Sequence, residues 1–474
     1  MQIIGRKREK EELERIYNSG KPEFVAVYGR RRVGKTYLVR EFFGGEFAFY
    51  LTGSKEEKES EQIQNFNFAI KKYSDKKYKT VKNWIDAFWI LRAMLEDKIA
   101  EDKEKRRIVF IDEFPWLDRR NSRFLAALEH YWNDWASAKP QIVLIICGSS
   151  TSWIMKKIFK NRGGLHNRVT ARISVSPFSL VEMEEFFEYK GIVMNRQQII
   201  EAALIVGGIP YYLDYFKPAY SLPQNIDYLF FNIGAPLANE YEELYYSLFS
   251  SPGWCLQIIE ALSSKSSGMT REEILNISKL PNGGRFTQYL EDLVLCGFVS
   301  HYTDFTKQKK DALYYLTDPF SIFYLRYVKN NKEKDEWFWT NYKGDGGYHA
   351  WLGLAFERLC MQHIPQIKQK LGIGGVSTRV VSWRSSKKVQ EGAQIDIVID
   401  RRDDVINLCE VKFTLHPYTV SKEVDWELQR KKNIFCEDTG TRKAIHWTMI
   451  TTYGISGGYR SGIQSEVVMN DLFC

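Results

Sequence analysis

Three short stretches hold residue types whose spacing could do chemistry. In FVAVYGRRRVGKTYLV, positions 29 to 36 match GxxxxGK[ST], with an apolar run before them and a helical pattern, TYLVREFF, after them. That strand, loop and helix context is what the pattern needs to cradle phosphate. The backbone N–H groups of Gly29, Arg30, Arg31, Arg32, Val33 and Gly34 would wrap the phosphates, Lys35 would reach the β and γ oxygens, and the Thr36 hydroxyl would join a Mg²⁺ shell. The second stretch, RIVFIDEFPWL, sets Asp112 and Glu113 at the end of an apolar strand, where α/β sheets bind ligands. Asp112 is expected to hold Mg²⁺ through water and Glu113 to orient or deprotonate an attacking water, which makes ATP the expected cofactor.

The third stretch is VINLCEVKF. Strand alternation puts Glu410 and Lys412 on one face and Cys409, Val411 and Phe413 on the other. QIDIVID precedes it across a charged turn, RRDD. If the two runs pair as a hairpin about Asp403, Asp396 lies opposite Glu410 on the same face. Two carboxylates, the Val411 carbonyl and a lysine suit a hard divalent cation, Mg²⁺ or Mn²⁺, with Lys412 fixing or polarising a water that attacks phosphate. The plainer reading is a Glu410–Lys412 ion pair on a half-exposed sheet.

The elements that must position these residues follow from the apolar pattern. From Phe24 to Phe178, short strands such as FVAVYG, RIVFID and QIVLIICG alternate with longer amphipathic stretches, the signature of a parallel sheet with crossover helices. An α/β core over 1–178 is expected. A mainly helical lid over 179–245 comes next. Over 246–320, MTREEILNISKL and GGRFTQYLEDLVLCGFV have helix, turn, helix spacing, and the strand pair FVSHYT and ALYYLT would make a wing. The second helix carries only Arg285 as a cation and holds Glu291 and Asp292, so base readout is poor there, whereas Lys307, Lys309 and Lys310 could meet phosphates. Residues 321–474 read as an α+β domain.

A chain of 474 residues exceeds what one core usually spans. The formal charge of +8 leaves room for local basic patches that could meet nucleic acid. Seven cysteines without a CxxC pair argue against a disulfide framework and a zinc site and for a reducing cytoplasm. The opening MQIIGRKREK lacks an apolar core, and no apolar run approaches the roughly 20 residues that span a bilayer, so no membrane partner is expected.

Several of these stretches together carry a family resemblance. IIGRKREKEELERI, GRRRVGKT, IVFIDEFPWL, ICGSS, NRVTARISVSPFS and GGIPYYL, in that order through the first half of the chain, resemble the prokaryotic ATPase family named for archaea, a branch of the STAND class among AAA+ relatives. The resemblance implies that Ser149 or Ser150 is the polar sensor of the γ-phosphate. It implies that Arg168 stabilises charge during transfer, with Arg172 as the rival and a homo-oligomer as one way to deliver it. Gly208 and Pro210 match the GxP signature, whose proline approaches the nucleotide and couples it to domain arrangement. In the last third, AWLGLAFERLC, CEVKF and YTVSKEVDWELQRKK resemble the PD-(D/E)xK, restriction-endonuclease-like domain often fused to this family, with Glu357 and Gln429 completing the set of Asp396, Glu410 and Lys412. Ile395 stands where the usual proline would precede Asp396.

Three functions are consistent with this reading. One is an ATP-controlled nuclease, for instance in defence or mobile-element control. A second is a non-cleaving ATP switch that binds nucleic acid or protein through the winged helix and an inactive nuclease fold. A third is a transcription regulator, which the acidic recognition helix disfavours.

Overall fold

Runs of consecutive apolar residues form strands only where both faces of a sheet are covered, and the first 177 residues show this. In the computed structural model, which describes residues 2–119, 121–160, 163–165, 167–266, 268–302, 312–331, 335–342, 346–385 and 392–474, five strands pair in parallel. They are β1 (Glu23–Tyr28), β2 (Phe49–Thr52), β3 (Arg107–Asp112), β4 (Ile142–Gly148) and β5 (Ala171–Ser174), in the order β2-β3-β4-β1-β5. Every residue of β3 and β4 is buried. Helices Glu59–Tyr73, Trp84–Glu101 and Phe124–Asp134 cover one face, with Phe66, Trp84, Leu91 and Leu128 in the shared core. Because all strands run the same way, their C-terminal ends share one edge. That edge receives the loop after β1, the acidic pair after β3 and Ser149 after β4.

The chain divides into two compact units, Met1–Pro177 and Phe178–Cys474. In the second, helices from Leu180–Tyr189 to Glu240–Leu248 are followed by Pro252–Ser263, Arg271–Ser278 and Gly284–Leu295. An antiparallel pair comes next, β6 (Val299–Tyr302) with β7 (Leu313–Leu316). Lys307, Lys309 and Lys310 lie outside the described residues. Arg285, the cation of the expected recognition helix, sits over the Trp254 ring, 5.7 Å from its centroid.

Packing inside the second unit joins the expected lid to the expected last domain through buried polar bonds. The Asp227 carboxylate accepts from the backbone N–H groups of Trp339 (2.7 Å) and Thr340 (3.0 Å), capping helix Phe338–Tyr342. Tyr348 Oη donates to Glu201 Oε2 at 2.8 Å, both residues being buried. Leaving such a buried acceptor unpaired costs about 1–3 kcal/mol, so these bonds fix which surfaces meet.

The C-terminal sheet contains β8 (Thr378–Arg384), β9 (Gln394–Arg401) and β10 (Val405–Lys412); β11 (Tyr418–Thr419) pairs apart from it with β13 (Ile455–Ser456), and β12 (Ala444–Thr451) and β14 (Ile463–Val468) complete it, in the order β14-β12-β10-β9-β8. β8, β9 and β10 are antiparallel neighbours, while β10, β12 and β14 are parallel. A parallel pair needs a long crossover, and helix Lys422–Thr439 supplies it between β10 and β12. Helix Gly346–Gln362 packs on β10, with Phe356 edge-on to Phe413 at 5.5 Å. No helix among the described residues is long and apolar enough to cross a membrane.

Candidate functional site

Backbone geometry shapes the loop after β1 before any side chain does. Gly29 has φ +152°, and a Cβ there would lie 2.1 Å from the Val175 carbonyl oxygen, so only glycine lets the loop leave the sheet at this point. Arg32 and Gly34 adopt positive φ, 69° and 87°. The loop is held from behind by Arg6, whose guanidinium donates to Val33 O (2.9 Å) and Ser176 O (2.6 Å). Arg6 is 5% exposed. It was not legible as a site residue, because in GRKREK a buried arginine looks like its solvated neighbours.

The expected phosphate-site residues come together at the C-terminal edge. Thr36 Oγ1 donates to Asp112 Oδ2 at 2.8 Å. Lys35 Nζ donates to Arg30 O (2.7 Å) and to Ser149 Oγ (3.1 Å), and Ser149 Oγ donates on to Glu113 Oε1 (2.8 Å). Burial holds the Lys35 ammonium below the usual lysine range, against the attraction of Glu113 and Asp112. Its hydrogen-bonded partners are both neutral, so its charge is not spent on an ion pair. Glu113 is a non-glycine residue in the left-handed region, φ 45°, and its carbonyl would be 2.6 Å from a Cβ at Gly53. Its Oε2 is buried and accepts no bond from the described residues. A lysine facing neutral oxygens, a threonine–aspartate pair and an unpartnered carboxylate oxygen fit a nucleotide, its Mg²⁺ and a water.

Arg168 is not part of this constellation. Thr170 N donates to Phe24 O at 2.8 Å, so Arg168 precedes β5 at the N-terminal edge of the sheet. Gly29 lies five residues farther along β1, on the order of 16 Å away. Arg168 is exposed and does not share its own chain's phosphate loop. Arg172, inside β5, rests its guanidinium 4.2 Å from the Phe159 ring centroid. Ser150 only precedes the short helix Thr151–Ile154, so Ser149 is the serine in place. Pro210 opens helix Pro210–Leu213 in the second unit. Before it, Gly208 has φ +69°, and a Cβ there would meet Phe178 O at 2.4 Å.

The hairpin expected about Asp403 forms with the expected register. Ile406 faces Asp400 and Cys409 faces Ile397, which sets Glu410 against Asp396 one step on. Val411 N–H donates to Asp396 Oδ2 at 2.9 Å, and Lys412 Nζ donates to Glu410 Oε1 at 2.9 Å. Glu357, from helix Gly346–Gln362, joins them: burial first, then the Asp396 charge, pushes its carboxyl up to about 8. Asp396 is pushed up to about 6 by burial and by Glu410. Lys412 is raised despite burial, because Glu410 and Asp396 favour its charge.

Gln429 does not complete this set. Its amide nitrogen lies where a Cβ on Gly462 would meet it at 2.7 Å, away from the carboxylates. Lys431, two residues on and about 200° around the helix, reaches Glu410 instead, with Nζ 3.0 Å from Oε1 and 2.8 Å from Oε2. The helix phase decides this. Leu428 and Phe435 are its buried residues, and Lys431 falls between them at i+3 and i−4 on that inner face. Among the described residues no group of three or more His, Cys, Asp or Glu side chains is placed to hold a metal ion. Two carboxylates remain, the number with which Mg²⁺ is often bound when phosphates and water supply the rest.

A parallel sheet whose glycine-rich loop, lysine, threonine and strand-end carboxylate meet at one edge defines a P-loop nucleotide-hydrolase core. Residues 4–216 match the family described as "ATPase domain predominantly from Archaea", which supports an ATPase-type function for this part of the chain. The uncharacterized protein MJECL04 of Methanocaldococcus jannaschii is 26% identical over 439 residues, covering 91% of this chain and 92% of that protein. The uncharacterized ATP-binding protein MJ0423 of the same organism is 50% identical over 40 residues, 8% of this chain and 68% of that protein. Among solved structures, the Walker-type ATPase paby2304 of Pyrococcus abyssi superposes with a TM-score of 0.49 at 20% identity, over 68% of this chain and 96% of that one.

Proposed function

We propose that the chain is a STAND-type ATPase whose nucleotide state controls a metal-dependent, nuclease-like site acting on nucleic acid. In this reading the ATPase core (1–178) and helical lid (179–245) bind and hydrolyse ATP, a winged helix (246–320) relays or docks, and a PD-(D/E)xK-like domain (321–474) holds the second site. Mg²⁺ at the first site, when bound, neutralises phosphate charge. Lys35 binds the phosphates, Thr36 and Asp112 hold the metal shell, Glu113 orients the water with its free carboxylate oxygen, and Ser149 links Lys35 to Glu113. Pro210 senses the nucleotide from the lid, and Arg168 acts across a contact between copies, since its own loop is out of reach.

The observation that carries the second half is the opposition of Asp396 and Glu410 across the hairpin, with Lys412 on the same face and Glu357 over them. Asp396 and Glu410 are the residues that would hold Mg²⁺ or Mn²⁺; Lys412 would hold a water, and Glu357, kept largely protonated near neutral pH, could donate a hydrogen bond. The test is incubation of the full chain with Mg²⁺ or Mn²⁺, with and without ATP, against single- and double-stranded DNA and RNA. Cutting that disappears in Asp396→Asn supports the reading; intact substrates under every condition refute it.

The double ion pair on Glu410 favours a second reading, in which the same fold binds nucleic acid or protein without cutting. ATP-dependent retention of nucleic acid by a chain that leaves it uncut would establish it.

A further inference from the structure

The Glu410 carboxylate is 7% exposed, yet it is not short of positive charge. Lys412 touches only Oε1 and is 38% exposed at its side chain, whereas Lys431 spans both oxygens and is 15% exposed. Lys431 therefore sits on the inner side of the carboxylate, across the two atoms through which Glu410 would ligate a cation. Asp396 is tied through Oδ2 to the Val411 N–H, and no hydrogen bond among the described residues engages its Oδ1. One carboxylate is thus half open and the other is capped by an ammonium. The two lysines are also mounted differently. Lys412 extends from β10 and Lys431 from helix Lys422–Thr439, and the four rotatable methylenes of Lys431 can withdraw its ammonium without moving the backbone.

We infer that Lys431 is an internal counter-cation that a divalent ion must displace, so that metal loading at Asp396 and Glu410 is an exchange of one cation for another. The inference rests on the metal-site reading above and specifies how that site is regulated. Before exchange, two ammonium groups neutralise Glu410 and the cluster is stable without metal. After exchange, the Lys431 ammonium is released beside the ion, where the anionic oxygens of a phosphodiester are the partner of matching charge. Substrate and metal would then load together, each supplying what the other displaces. A solitary metal would bind weakly, and a polyanion would tighten it by giving Lys431 a new partner.

Calorimetric titration of MnCl₂ into the nucleotide-free full chain tests this, with Glu410→Gln as the background for ions bound elsewhere. Lys431→Met keeps the apolar stem and Lys431→Gln keeps a polar head; both leave Lys412 on Glu410, and a thermal melt confirms that each is folded. Glu410-dependent Mn²⁺ affinity should rise about tenfold or more in both variants, the exchange no longer breaking a charge-assisted bond. Appearance of binding in the variants alone would support the inference equally. Unchanged or weaker Mn²⁺ affinity in the folded variants overturns it while leaving the metal site standing. Absence of Glu410-dependent binding in every chain overturns both the inference and the metal-site reading beneath it.

Discussion

Each unit places a lysine near a strand-end carboxylate, but the two units use the lysine charge in opposite ways. Lys35 is buried against neutral oxygens, Arg30 O and Ser149 Oγ, and carries a charge that burial penalises. Lys412 and Lys431 are both committed to Glu410. The first site presents its charge to an incoming anion, which is what a phosphate loop requires. The second is balanced internally, so any ion or substrate entering it must exchange with a group already there. Preorganised, unspent charge belongs to a site that binds tightly; spent charge belongs to one that is held in check.

The largest effect is expected at Glu113. Glu113→Gln should retain ATP affinity and lower turnover by about 10²–10⁴-fold, the range for removing a group that handles the attacking water. Measured phosphate release that stays at the wild-type rate would remove Glu113 from the reaction. Next in size is Lys35→Ala, which should weaken ATP binding by about 100-fold or more, because the phosphates lose a buried cation. Equilibrium binding with a fluorescent ATP analogue reads this.

A smaller effect is expected behind the loop. Arg6→Ala removes two charge-assisted bonds, to Val33 O and Ser176 O, and leaves both carbonyls without that partner. It should lower unfolding stability by about 2–3 kcal/mol in urea titration and loosen nucleotide affinity secondarily. A change within about 0.5 kcal/mol would mean that the loop holds itself.

The smallest effect is expected from pH, in the second unit. Glu357 and Asp396 have carboxyl groups raised to about 8 and about 6 from ordinary values of 4.5 and 3.8. Between the ordinary and the raised value the folded chain binds more protons than the unfolded one, so their contribution to stability falls as pH rises from about 4 to 8. Glu357→Gln, which stays neutral, should flatten that slope across the window. An identical pH profile in chemical denaturation would show that Glu357 is ionised in the folded chain.

The legible parts of the fold were those where one physical signal dominated. FVAVY, RIVFID and IVLIICG read as strands because both of their faces are covered, and the hairpin register followed from equal runs about RRDD. The strands β2, β5, β8 and β14 were not singled out: FYLT and ARIS are only four residues long, and TRVVSWR and IQSEVV mix polar and apolar positions on half-exposed faces. Gln429 follows from the resemblance alone, and Lys431 gave no signal because QRKK lies in a polar helix with only Leu428 and Phe435 to fix its phase. Arg168 just precedes the parallel strand β5, which sets it at the edge opposite the phosphate loop. Arg6 gave no signal, because its role depends on a carbonyl 27 residues away.

The claim that joins the two units is that the nucleotide controls the second site. It is tested most directly by following cleavage of end-labelled nucleic acid by the full chain in Mn²⁺, with and without ATP, beside Lys35→Ala and Asp396→Asn. The account predicts that ATP changes the rate in the wild-type chain, that Lys35→Ala loses this response while keeping its basal cutting, and that Asp396→Asn does not cut. Cleavage at one rate with or without ATP, persisting in Asp396→Asn, would contradict it.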